Sequence, residues 1–87
     1  MLVDTGSQTY TVEGRNISAG GMLVKAEHTE EEGRILRLEF CLPGDPRPFR
    51  VRGTVQHVSP GAFMGIQFSG LTETDRSRIE DFVKAAK

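Results

Sequence analysis

For most of its length the chain alternates apolar and polar residues with period two, the mark of half-buried β-strands. Tyr10 and Val12 alternate with Thr9, Thr11 and Glu13; Met22, Val24 and Ala26 alternate with Leu23 and Lys25. The pattern is cleanest from Arg34 to Leu42, where Leu36, Leu38, Phe40 and Leu42 share one face against Arg37, Glu39 and Cys41. Phe49, Val51, Gly53 and Val55 then alternate with Arg50, Arg52, Thr54 and Gln56. Ala62, Met64, Ile66 and Phe68 make a last inward face. This predicts five short antiparallel strands, or six if Leu2 and Val3 belong to another, and hence a small barrel or sandwich.

The breaks between strands are equally readable. Pro43, Gly44, Asp45, Pro46 and Pro48 crowd one short interval, and proline cannot donate to a sheet ladder. The flanking runs, about 34–42 and 49–58, therefore read as a hairpin. Parity suggests its register: Leu42 opposite Phe49, Phe40 opposite Val51, Leu38 opposite Gly53 and Leu36 opposite Val55, with Glu39 beside Arg52. Ser59, Pro60 and Gly61 make the next turn. The acidic stretch from His28 to Glu32, closed by Gly33, reads as a solvated connection.

At Thr72 the period changes to that of a helix. Thr72 and Asp75 approximate a capping box, and Ile79, Phe82, Val83 and Ala86 fall on one stripe. Glu73 and Asp75 near the start and Lys84 and Lys87 near the end suit the helix dipole. The expected organisation is one domain over residues 1–87, with the barrel over about 1–70 and the helix over about 72–86.

Composition narrows the function classes. A chain of 87 residues buries only about 60–65% of the surface its unfolded form exposes, so its stability margin is thin. Net charge is −1 with a pI near 6.1, which argues against recognition of DNA or RNA through a global positive field. The single Cys41 makes no internal disulfide, and no apolar run approaches the roughly 20 residues of a membrane span. No basic-then-apolar signal segment opens the chain, and the cytoplasm is the expected compartment. His28, His57 and one cysteine do not make a zinc set. Ser18 lacks the Gly-x-Ser-x-Gly elbow of a hydrolase, and Cys41 reads as an inert, semi-buried thiol. No enzyme and no cofactor are expected. Phe63 has outward parity and either supports the helix or anchors a partner.

The most informative stretch is Arg15-Asn16-Ile17-Ser18-Ala19-Gly20-Gly21-Met22. From the residues alone it reads as a tight, irregular turn. Asn and Ser can bond to nearby main chain, and adjacent glycines permit positive φ. Asn16 and Ser18, two apart, would share a face and form a small polar cradle with Arg15 and free backbone N–H groups.

This stretch resembles a known family. Asn16-x-Ser18-x-x-Gly21 is similar to the [Asp/Asn]-x-Ser-x-x-Gly motif of PilZ domains, bacterial receptors for the dinucleotide cyclic di-GMP. The resemblance continues through Gly33, Leu36-x-Leu38-x-Phe40-x-Leu42-Pro43, Val51-x-Gly53-x-Val55, Met64-Gly65-Ile66-x-Phe68 and the closing helix with Ile79 and Phe82. It implies an antiparallel PilZ-like barrel with a C-terminal helix, a non-enzymatic signalling role, and a ligand site at Arg15, Asn16, Ser18, Gly20 and Gly21. One element of the family pattern does not match. PilZ receptors also carry an Arg-x-x-x-Arg motif before the first strand, and no two arginines here stand four apart. The expectation is therefore a degenerate adaptor that works through protein contacts, with weak or no cyclic di-GMP binding. The alternative is a competent receptor whose arginine clamp lies outside this sequence or is replaced by Arg15.

Overall fold

A computed structural model describes residues 1–85. It contains seven strands and one helix: β1 Leu2–Asp4, β2 Thr9–Thr11, β3 Glu13–Ser18, β4 Gly21–Lys25, β5 Ile35–Phe40, β6 Phe49–Ser59, β7 Phe63–Ser69 and α1 Glu73–Ala85. All pairings are antiparallel, in the spatial order β2-β1-β5-β6-β7-β4-β3. The two end strands, β2 and β3, are successive pieces of one segment joined at Val12. A sheet whose two ends are one covalent segment has to curl until they meet, which gives the sheet its barrel-like shape. At the joint, Met1 and Val12 bond through backbone atoms in both directions. The mainly β fold with a closing helix is as expected. The strand count is higher because the single run anticipated at Tyr10–Glu13 changes partner at Val12, and because Ile17–Ser18 belong to a strand.

Most of the expected inward positions are buried: Val12, Val24, Ala26, Leu36, Leu38, Phe40, Leu42, Phe49, Val51, Val55, Met64, Ile66, Phe68 and Ile79, joined by Val3. Tyr10, Met22 and Ala62 are only half-buried. Gly53 is an inward position with no room for a side chain: a Cβ there would stand 2.4 Å from Ile66 Cγ2.

The hairpin register differs from expectation by two residues. Phe40 faces Phe49, Leu38 faces Val51, Leu36 faces Gly53, and Glu39 faces Arg50 rather than Arg52. Parity cannot separate registers that differ by two, because both keep apolar groups inward. The proline-rich connection decides it. Leu42 leaves the ladder while staying buried, and its carbonyl accepts from Asp45 N–H at 3.0 Å in a turn that takes Gly44 at φ 83°. Cys41 is then exposed rather than semi-buried, with its thiol 3.6 Å from the Pro46 carbonyl.

The acidic connection is not fully solvated either. The Glu30 side chain is only 8% exposed, beside His28 at 2.6 Å and Arg34 at 3.5 Å. Its carboxylate accepts from the Tyr10 hydroxyl at 3.3 Å. Tyr10 packs edge-on against His28. Burial first, then the Glu30 charge and hydrogen bond, push the Tyr10 phenol up to about 12, opposed by Arg34.

The helix begins as expected, with Asp75 N–H donating to Thr72 Oγ1 at 3.1 Å. The reciprocal half of the capping box does not form, because the Asp75 carboxylate accepts from Arg78 instead. Ile79 is fully buried, whereas Phe82 and Val83 are half-buried against the core. Ala86 and Lys87 lie outside the described residues. Arg78 locks the helix to the proline-rich loop. It donates to Asp45 at 3.0 Å and to the Arg47 carbonyl at 2.9 Å, and its guanidinium lies 3.9 Å over the Phe49 ring. Phe49 in turn stacks on Phe40. Asp45 also accepts from the side chain and backbone of Arg47. The Arg47 bonds first, then the Arg78 bond, hold its carboxyl well below the usual carboxylate range.

Candidate functional site

The motif lies on a β-hairpin, not in an irregular turn. Asn16 and Ser18 belong to β3 and Gly21 opens β4, with Ser18 opposite Gly21 across the Ala19-Gly20 turn. The register shifts between Gly14 and Asn16, so Arg15 sits in a bulge. Neither Gly20 nor Gly21 has positive φ. Gly21 is needed for a different reason: a Cβ there would stand 2.2 Å from the Ile66 carbonyl oxygen of β7. The close approach that Gly21 permits is that of a neighbouring strand. Gly20 has no such constraint, its nearest neighbour being Ser18 Oγ at 3.8 Å from an added Cβ.

Ladder partners share a face, so register shows what accompanies the motif. One row runs Asn16, Leu23, Gly65, His57; the next runs Ser18, Gly21, Gln67, Thr54. A shallow groove of about 560 Å³ follows these rows, lined by Asn16, Ser18, Gln56, His57 and Gln67 among others. Gly65 serves as its floor, since a Cβ there would press on the His57 ring at 3.4 Å. Gln56 donates to Gln67 at 2.9 Å, and Ser18 Oγ accepts from Gly20 N–H at 3.3 Å. Among apolar groups of Ile17, Met22, Leu23 and Ile66, the groove is therefore lined by amides, a hydroxyl and one imidazole. Such groups can contact base edges or phosphate oxygens by hydrogen bonds but supply little charge.

The structure thus brings Asn16, Ser18, Gly20 and Gly21 together, and leaves Arg15 out. Arg15 does not line the groove; it is exposed, with Nε 3.7 Å from Glu13 Oε1. Gln56, His57 and Gln67 were missed as neighbours of the motif. They lie some 40 residues away along the chain, and only the β4–β7–β6 register joins them to it. Phe63 is on the outer face opposite Lys25 and Ser59, which removes it from helix support. Among the described residues no group of histidine, cysteine and carboxylates is placed to hold a metal ion.

The fold is a small, barrel-like antiparallel β domain closed by a C-terminal helix. The family model described as PilZ domain matches residues 1–85, and the chain belongs to that family. PilZ domains are generally non-enzymatic modules that bind cyclic di-GMP or act in related signalling. A comparison with curated proteins gives no match. No helix among the described residues is long and apolar enough to cross a membrane.

Proposed function

We propose that this chain is a PilZ signalling module of the degenerate kind, acting through protein contacts and binding cyclic di-GMP weakly or not at all. The observation that carries the proposal is the chemistry of the groove. Asn16, Ser18, Gln56, His57 and Gln67 line it, no arginine does, and no Arg-x-x-x-Arg occurs in the sequence. Cyclic di-GMP carries two negative phosphates. Arginine forks pair bidentately with phosphate and stack on bases, which neutral groups cannot replace. Each hydrogen bond to a charged group is worth roughly 1.5–3 kcal/mol, so lacking two removes about 3–6 kcal/mol, or two to four decades of affinity. Arg15 would have to leave Glu13 and turn into the groove to recover one of them.

Calorimetric titration at low salt tests this, beside a variant extended at its N-terminus by an Arg-x-x-x-Arg segment. The expected result is little heat from the parent and a gain of affinity in the extended variant. Sub-micromolar binding by the parent, abolished by Ser18→Ala or Arg15→Ala, would refute the proposal and establish a competent receptor.

A further inference from the structure

Another surface carries the charge that the motif groove lacks. On the outer face of β1, β5 and β6, ladder partners run Thr9, Asp4, Arg37, Arg52, Ser69 in one row and Thr11, Leu2, Glu39, Arg50 in the next. In the second row the charges are matched, with Arg50 Nε 3.2 Å from Glu39 Oε1. In the first they are not. Arg37 and Arg52 stand directly opposite each other, and neither forms an ion pair among the described residues. Asp4 is the other neighbour of Arg37, but its carboxylate accepts from Gly6 N–H at 2.8 Å and caps the β1–β2 turn.

Like charges directly opposed across a sheet destabilise it. The fold therefore gains nothing from this pair, whose Cβ atoms stand about 5 Å apart by ladder geometry. From neighbouring Cβ positions the two long side chains can reach one carboxylate or phosphate with both forks. The pair borders an open hollow of about 760 Å³, and Leu2, 43% exposed, lies beside it. No aromatic side chain lines the hollow, so a nucleobase would find nothing to stack on. Two unmatched cations beside an exposed leucine instead complement an extended peptide that alternates acidic and apolar residues.

The geometry points to the β1–β5–β6 face as the docking surface for an acidic segment of a partner protein, with Arg37 and Arg52 clasping one carboxylate and Leu2 taking an apolar neighbour. This rests on the reading of the chain as a protein-contact module, and names the chemistry of the partner.

The probe is an octapeptide of alternating Glu and Leu, titrated into isotopically labelled chain and followed by NMR. The Arg37 and Arg52 Nε–H resonances should shift, with those of Leu2, Thr9 and Ser69. The Gln-for-Glu peptide should bind at least tenfold more weakly, and so should the acidic peptide to an Arg37→Gln, Arg52→Gln double variant. The denaturation midpoint of that variant should equal or exceed the parent's, because a repulsion has been removed. Unchanged affinity in the double variant, or a fall in its midpoint, would overturn the assignment. So would shifts confined to Asn16 and Ser18. Displacement of the peptide by inorganic phosphate at equal concentration would make this a small-anion site and overturn the peptide assignment. Tight cyclic di-GMP binding that shifts only groove resonances would remove the proposed function and leave this surface standing, so the two failures are distinguishable.

Discussion

Gly21 shows how a motif position can be held by the fold before any ligand enters. Its neighbour across the ladder is backbone, the Ile66 carbonyl 2.2 Å from where a Cβ would stand, and backbone cannot rotate aside. Gly21→Ala should therefore separate β4 from β7 and cost about 1–3 kcal/mol, as overpacking does. Gly20→Ala, whose added Cβ would meet only Ser18 Oγ at ordinary contact distance, should change stability by less than about 0.5 kcal/mol. Urea midpoints of the two variants check this contrast. Equal midpoints would assign Gly21 to some other role. The motif itself was legible in the sequence, since Asn16, Ser18 and Gly21 stand at fixed spacing in one short run. Its glycine was legible only as a need for room, and positive φ was the wrong kind of room. Arg15 could equally be read as a solvated arginine, and it stands exposed in a bulge beside Glu13.

At the scale of elements, β4, β5, β6 and β7 declared their inward faces through period two, whereas β3 was hidden in a run that reads as a turn. Pairing register was legible only modulo two residues. The choice between Glu39–Arg50 and Glu39–Arg52 was made in the 41–48 loop, where Leu42 stays in the core without staying in the ladder. The helix followed its apolar stripe, but its grip on the barrel is shared unequally. Ile79 is wholly buried, Phe82 half-buried, and Arg78 reaches the loop from the same helix. Phe82→Ala should accordingly cost about 1–2 kcal/mol, less than the 3–5 kcal/mol of a fully enclosed ring. For a domain of this size that lowers the melting temperature by roughly 4–16 °C. Thermal melts of Phe82→Ala and Ile79→Ala check it, with the larger fall expected for Ile79→Ala. An unchanged melt for both would mean an undocked helix.

For the whole molecule, two polar clusters pin connections onto the barrel, and each ties stability to pH. The folded-state pKa of Asp45 is depressed below its ordinary 3.8 by Arg47 and Arg78. Its contribution is complete above that value and fades as pH falls below about 4. Tyr10 is the opposite case. Its pKa is raised from 10.0 to about 12, so its contribution is complete below pH 10 and is lost as pH climbs towards 12. Chemical-denaturation midpoints measured across pH should show both limbs. Asp45→Asn should flatten the acid limb, and Tyr10→Phe the alkaline one. An acid limb unchanged in Asp45→Asn would place the sensitive carboxylate elsewhere.

The joint at Val12 also imposes an order on assembly. The β5–β6–β7 meander pairs residues close in sequence, so it can form early at little loop-closure cost. The ring cannot shut until Leu2 finds Glu39, and the segment carrying β2 and β3 must then serve two neighbours at once. Such distant pairing is slow. A form in which Leu2 has not yet met Glu39 would be a curled ribbon open between β1 and β5. The Arg37–Arg52 row would stand at one lip, and the β1–β2 hairpin would form the other.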